Sequence, residues 1–156
     1  MTGGGVDHIG LTVNDIDRSV DFYRLVLQRE PIHRGDYDDP FVAQEVGYDN
    51  VDLRAAFFDL PGSEAKLELL EYRNPQGTPN DPETCNPGNV HVALLVSNLH
   101  SEFDRLQRAG VKFRQPEPAR IPLGPYEGGF SVYFRDPDGI TVQLLEPPQA
   151  GFFVTE

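Results

Sequence analysis

The stretch Val6-Asp7-His8-Ile9-Gly10-Leu11-Thr12-Val13-Asn14-Asp15-Ile16 returns later in the chain as Asn89-Val90-His91-Val92-Ala93-Leu94-Leu95-Val96-Ser97-Asn98-Leu99, with His8 and His91 in register. A second shared phrase follows each copy: Lys66-Leu67-Glu68-Leu69-Leu70-Glu71-Tyr72 answers to Thr141-Val142-Gln143-Leu144-Leu145-Glu146-Pro147. A histidine on an early strand, and a carboxylate or amide on a late one, are thus each duplicated. Two such copies packed about a pseudo-two-fold axis would bring four ligand-type side chains to one point.

The copies also share their local pattern. Residues 6–13 alternate in polarity and run into Asn14-Asp15, a good helix cap. Ile16, Val20, Tyr23 and Leu27 then recur at helical spacing, one apolar stripe on a charged helix. In the second copy Leu99, Phe103 and Leu106 hold the same places, with Ser97-Asn98 before them and Gly110 after. Strand-like runs follow at 29–34, 51–60 and 65–72, and again at 111–115, 130–135 and 140–146. The turn-rich phrases Phe58-Asp59-Leu60-Pro61-Gly62 and Phe134-Arg135-Asp136-Pro137-Asp138-Gly139 correspond as closing hairpins.

The predicted fold class is therefore α+β, with two βαβββ modules forming a curved mixed sheet around a cavity. The first module covers 1–72 and the second 90–147. They are joined by a linker at 73–89 carrying four prolines, and a tail occupies 148–156. Longer excursions at 35–50 and 116–129 fall at equivalent places, where a site is commonly overhung.

Bulk properties narrow the function. A chain of 156 residues suits one compact domain or two closely related halves. No apolar run approaches the ~20 residues of a membrane span, and no signal-like segment opens the sequence, so a cytoplasmic protein is expected. The formal net charge of −12, with Lys66 and Lys112 the only lysines, argues against nucleic acid or an anionic membrane as partner. The single cysteine, Cys85, rules out a disulfide framework or a thiolate metal cluster.

Paired βαβββ modules with these phrases resemble the vicinal-oxygen-chelate superfamily, which includes glyoxalase I, methylmalonyl-CoA epimerase, extradiol dioxygenases and the fosfomycin and bleomycin resistance proteins. Val6-Asp7-His8-Ile9-Gly10-Leu11 with Asp21-Phe22-Tyr23 resembles the family's opening, and Asp136-Pro137-Asp138-Gly139 its closing hairpin. The likeness runs from about Val6 to Pro147. It departs at Leu27-Gln28, where the family has Leu-Gly.

The resemblance implies a metal site at His8, Glu68, His91 and Gln143. Strand alternation supports these over their neighbours, because Glu68 and Glu71 point to opposite faces, as do Gln143 and Glu146. Glu71 and Glu146 are expected to be solvated edge charges, and His33 and His100 ordinary structural histidines. Two imidazoles, a carboxylate and an amide oxygen suit one divalent ion (Mn, Fe, Co, Ni or Zn) and leave coordination positions open for a ligand.

What this implies chemically is a small substrate that chelates the metal through adjacent oxygens, with an enolate stabilised by Lewis acidity and a base moving the neighbouring proton. The ligand pattern is nearest to methylmalonyl-CoA epimerase with the halves exchanged, and also resembles glyoxalase I, whose last-strand glutamate is replaced here by Gln143. The expected activity is an isomerase or epimerase, or a lyase. The alternatives are an iron-dependent dioxygenase and a non-catalytic drug-binding resistance protein. Glu68 is the expected proton carrier, with Glu127 and Glu45 in the excursions as further acids. Tyr126, Tyr48 and Arg54 are candidate substrate contacts, and a homodimer is the expected assembly.

Overall fold

The computed structural model describes residues 4–148. The tail expected over 148–156 lies, Pro148 apart, outside the described residues. The chain divides between Asn80 and Asp81 into two units.

The first unit runs β1 (His8–Thr12), α1 (Ile16–Leu27), β2 (His33–Tyr37), α2 (Pro40–Val46), β3 (Asp52–Asp59) and β4 (Lys66–Asn74). Its four strands form a mixed sheet in the order β1-β4-β3-β2, with only the β1–β4 pair parallel. The second unit runs β5 (His91–Leu95), α3 (Leu99–Arg108), β6 (Ala119–Arg120), β7 (Phe130–Arg135) and β8 (Thr141–Glu146). It repeats the pattern as β5-β8-β7-β6, again with one parallel pair, β5–β8. The α+β class and the duplication of the βαβββ unit are as the sequence predicts.

Each helix begins where its cap dictates. Asp15 accepts hydrogen bonds from the Asp17 and Arg18 amides, and Asn98 from the Ser101 amide, so orphan donors of each first turn are satisfied. The apolar stripe of α1 (Ile16, Val20, Tyr23, Leu27) is buried together with Leu11, Ala56, Phe58, Leu67 and Leu69. In the second unit Leu99, Phe103 and Leu106 are buried with Val92, Val132, Phe134, Val142 and Leu144. Burying a side chain of this size contributes about 1.5–3 kcal/mol. At the end of α1 Gln28 adopts the left-handed conformation, φ 54°, that a glycine would take at lower cost.

Glu71 and Glu146 are not solvated edge charges. A Glu71 carboxylate oxygen accepts the amide of Ile16 at 3.2 Å, and one of Glu146 accepts the amide of Leu99 at 2.6 Å. Each glutamate reaches from the last strand of its unit to the first turn of the helix, where an anion is favoured by the exposed N–H groups and the helix dipole. A hydrogen bond to a charged group is worth about 1.5–3 kcal/mol. Glu146→Ala is accordingly expected to lower stability by that amount in urea melts, with the α3 amides losing hydrogen-exchange protection first.

Three other expectations shift. The run at 29–34 becomes β2 at His33–Tyr37, because Pro31 has no N–H for the ladder and pairing starts at the Ile32 amide. The run at 111–115 is reduced to a Phe113–Phe134 bridge and the two-residue β6, since Pro116 and Pro118 interrupt the edge. There the Gln115 side chain accepts the Tyr133 amide at 3.0 Å, in place of a backbone partner. The excursion 35–50 contains the short helix α2, capped by Asp39, carrying Pro40 at its start and ended by the left-handed Gly47.

From Asp81 onward the segment before β5 falls within the second unit. Glu83 pairs with Arg114 at 3.0 Å and Arg135 at 2.8 Å, while Asn89 donates to the Asp81 and Glu83 carbonyls.

Candidate functional site

Sheet alternation sorts each unit's residues onto two faces. In the first unit the helix face carries Ile9, Leu11, Leu67, Leu69, Glu71, Arg54, Ala56 and Phe58. The other face carries His8, Gly10, Lys66, Glu68, Phe57 and His33.

His8 and Glu68 meet there, with His8 Nε2 3.3 Å from a Glu68 carboxylate oxygen. The approach depends on Gly10, which pairs with Glu68 on the adjacent strand: a Cβ at that position would lie 3.3 Å from the same oxygen. The other ring nitrogen, Nδ1, donates to Asp7 at 2.8 Å. This bond raises the His8 pKa; burial opposes the shift and the Glu68 charge adds to it. Glu68 has only 14 % of its side chain exposed, and burial holds its carboxyl above the usual carboxylate range. The charge of His8 offsets part of that shift, and Glu45 and Asp7 add to it.

The far end of this face is covered by α2. Val42 packs with Val51, Leu53 and Ala55, and Tyr37, Phe57, Leu70 and Tyr72 surround the cluster. Tyr48 meets Tyr72 edge-on with ring centroids 6.3 Å apart, and Glu45 is close enough to raise the pKa of both Glu68 and Tyr72. The structure therefore brings Glu45 and Tyr48 to the side of the sheet that carries Glu68. Arg54 is not there. Its place on β3 turns it to the helix face, where Asp17 at 3.1 Å and Glu71 at 3.3 Å hold the guanidinium.

In the second unit His91, Ala93, Gln143 and Tyr133 share the face away from α3. The register repeats that of the first unit, since Gln143 pairs with Ala93 as Glu68 pairs with Gly10. The Gln143 amide nitrogen donates to Ser131 Oγ at 2.8 Å, which leaves the carbonyl oxygen as the free acceptor. Tyr126 is half-buried and Glu127 exposed in the turn that follows Gly124. This turn closes onto β8 so tightly that a Cβ on Gly129 would lie 2.2 Å from the Glu146 carbonyl oxygen.

The donors fit a divalent ion chemically. Two ligands bound at about 2.1 Å and at right angles stand about 3 Å apart, and the His8–Glu68 separation is close to that. Within neither unit, among the described residues, are three His, Cys, Asp or Glu side chains placed to hold a metal ion. His8 and Glu68 share one face of the first sheet, and His91 and Gln143 share the equivalent face of the second.

Sequence reasoning missed three neighbours of these pairs. Asp7 holds His8. Phe57 meets the His8 ring edge-on at 6.2 Å, and Tyr133 does the same to His91 at 5.7 Å. The two aromatics are themselves a repeat, each preceding the phenylalanine of its closing hairpin (Phe58, Phe134), and aligning the hairpins one residue further back would have found them. His33, expected to be purely structural, lies on the same face as Glu68, 2.7 Å from the Tyr37 hydroxyl. That contact folds the Tyr37 ring across Gly35, where a Cβ would stand 3.0 Å from the hydroxyl oxygen.

Residues 5–144 match the sequence profile of the Glyoxalase/Bleomycin resistance protein/Dioxygenase superfamily. The chain belongs to this family. Among its relatives, a 2-epi-5-epi-valiolone epimerase from Actinomyces sp. is 29% identical over 163 residues, covering 98% of this chain and 88% of that one. A probable lactoylglutathione lyase from Synechocystis sp. is 28% identical, covering 89% and 92%. A solved glyoxalase family protein from Bacillus cereus superposes with a TM-score of 0.78 at 16% identity, over 95% and 99% of the two chains. The fosfomycin resistance protein FosX from Listeria monocytogenes, solved with Mn(II) and sulfate, superposes with a TM-score of 0.61 at 18% identity, over 96% of each chain. The superfamily thus includes epimerase and lyase relatives of this chain, and these solved structures share its fold. No helix among the described residues is long and apolar enough to cross a membrane.

Proposed function

We propose that this protein is a metal-dependent isomerase or epimerase that moves a proton at a carbon beside a carbonyl, in a small substrate with two adjacent oxygens. The observation that carries this reading is Glu68: a carboxylate 14 % exposed that faces an imidazole across 3.3 Å. A positioned carboxylate within a sheltered face can take a proton from carbon and return it.

In this reading His8, Glu68, His91 and Gln143 would hold one divalent ion, which would supply Lewis acidity to the substrate oxygens. Glu68 accepts the proton from carbon. Epimerisation needs a second acid on the opposite side of the substrate, and Glu45 is preferred to Glu127 because Glu68 already feels its charge. Phe57 and Tyr133 meet the two histidine rings edge-on and would help to set their orientation. The 29% identical epimerase supports the epimerase form, and the lactoylglutathione lyases keep a lyase as the second reading.

The test is hydrogen exchange. Protein purified without chelator is analysed for metal, then incubated with cyclic and open-chain α-hydroxyketones in D2O and followed by NMR. Chelator-sensitive C–H exchange is the expected result. Oxygen uptake with a catechol, and no exchange with any ketone, would replace this reading with a dioxygenase.

A further inference from the structure

The two histidines are equivalent in the repeat but not in their support. The residue before His8 is Asp7; the residue before His91 is Val90. Asp7 is also held in place: its carbonyl accepts the Lys66 amide at 2.9 Å, continuing the β1–β4 ladder by one residue. Its carboxylate then takes the His8 Nδ1–H at 2.8 Å, and the ring is turned so that Nε2 faces Glu68.

A neutral imidazole carries its proton on one nitrogen and binds a cation through the other, so a carboxylate at Nδ1 selects the nitrogen left free. Outer partners of this kind fix ring orientation and raise ligand basicity. We infer that Asp7 is a positioning residue that locks His8 as the Nδ1–H tautomer with Nε2 presented beside Glu68, so that this pair is preorganised. His91, with Val90 in that position, has no such carboxylate among the described residues and meets Tyr133 edge-on. The inference builds on the proposed metal site, but its central claim concerns the metal-free protein and can be read without any metal.

The experiment compares wild type with Asp7→Ala, Asp7→Asn and, as a control surface carboxylate, Asp59→Ala. The Asp7 side chain is 79 % exposed, so its removal does not threaten the fold. Long-range proton–nitrogen NMR on the metal-free protein, at a pH where the imidazoles are neutral, reads the His8 tautomer directly. Wild type should show His8 as Nδ1–H. Asp7→Ala should shift it to a mixture in which Nε2–H is populated, with His91 unchanged. Asp7→Asn, whose amide oxygen still accepts, should restore much of the Nδ1–H form.

Calorimetric titration with Co(II) should then show affinity about 10- to 100-fold weaker for Asp7→Ala, with Asp59→Ala like wild type. An unchanged His8 tautomer in Asp7→Ala overturns the inference whatever the metal result. If wild type binds no Co(II) while the tautomer shifts as expected, the positioning role stands and the metal site falls.

Discussion

Alanine at His8, Glu68 or His91 is expected to abolish stoichiometric binding of a divalent metal, whereas alanine at Glu71 or Glu146 leaves it intact. The contrast follows from strand alternation. Glu68 and Glu71 stand three residues apart on β4, so their side chains leave the sheet on opposite sides. One meets His8 at 3.3 Å and the other meets the Ile16 amide at 3.2 Å. Elemental analysis after exhaustive dialysis reads the first set, and urea melts read the second. A Glu71→Ala protein that lost metal, beside a Glu68→Ala protein that kept it, would reverse the face assignment of the donors. Loss of stability with retention of metal is the expected outcome at Glu71.

Glu68→Gln is the sharper experiment, because it separates holding from proton transfer. An amide oxygen still coordinates, so metal content should be largely retained, but the amide cannot take a proton. Exchange of a substrate C–H with solvent should fall about 10²- to 10⁴-fold, the usual contribution of a positioned base. Full exchange in this variant would move the base to Glu45 or Glu127.

The same substitution has an opposite effect on the metal-free chain. Burial raises the pKa of Glu68 in the folded state above its unfolded value. The folded state therefore binds the proton more tightly, and stability falls as pH rises from the usual carboxylate range through the raised value. Melts in EDTA should show Glu68→Gln more stable than wild type at pH 7, with the gap closing at low pH. An equal gap at both pH values would assign the effect to packing rather than to charge.

Much of this was legible in the residues. The repeat of Val6–Ile16 in 89–99 announces two copies of one unit, and the sheets realise it with equivalent registers, Gly10 opposite Glu68 and Ala93 opposite Gln143. What alternation cannot foretell is where a side chain ends. Glu71 and Glu146 look like strand-end charges because the helix termini they cap are distant in sequence. Arg54 looks like an anion-binding group until the register turns it toward Asp17 and Glu71. The helix α2 was hidden because its apolar residues are too few to show a period, although Asp39-Pro40 and Gly47 mark its ends. The edge strands shifted for the opposite reason: a proline is visible in the sequence, but the apolar run around it reads as continuous.

The paired glutamates that tie each helix to its sheet have a consequence for how such a protein can change. On β4 and β8 the residues that support the scaffold alternate with those that face the candidate chemistry. Substitutions at positions 66, 68 and 143 can alter donors while the helix ties at 71 and 146 stay in place. Libraries confined to those three positions should yield mostly folded proteins of diverse metal preference. In that sense innovation and integrity are inherited through separate columns of the same strand.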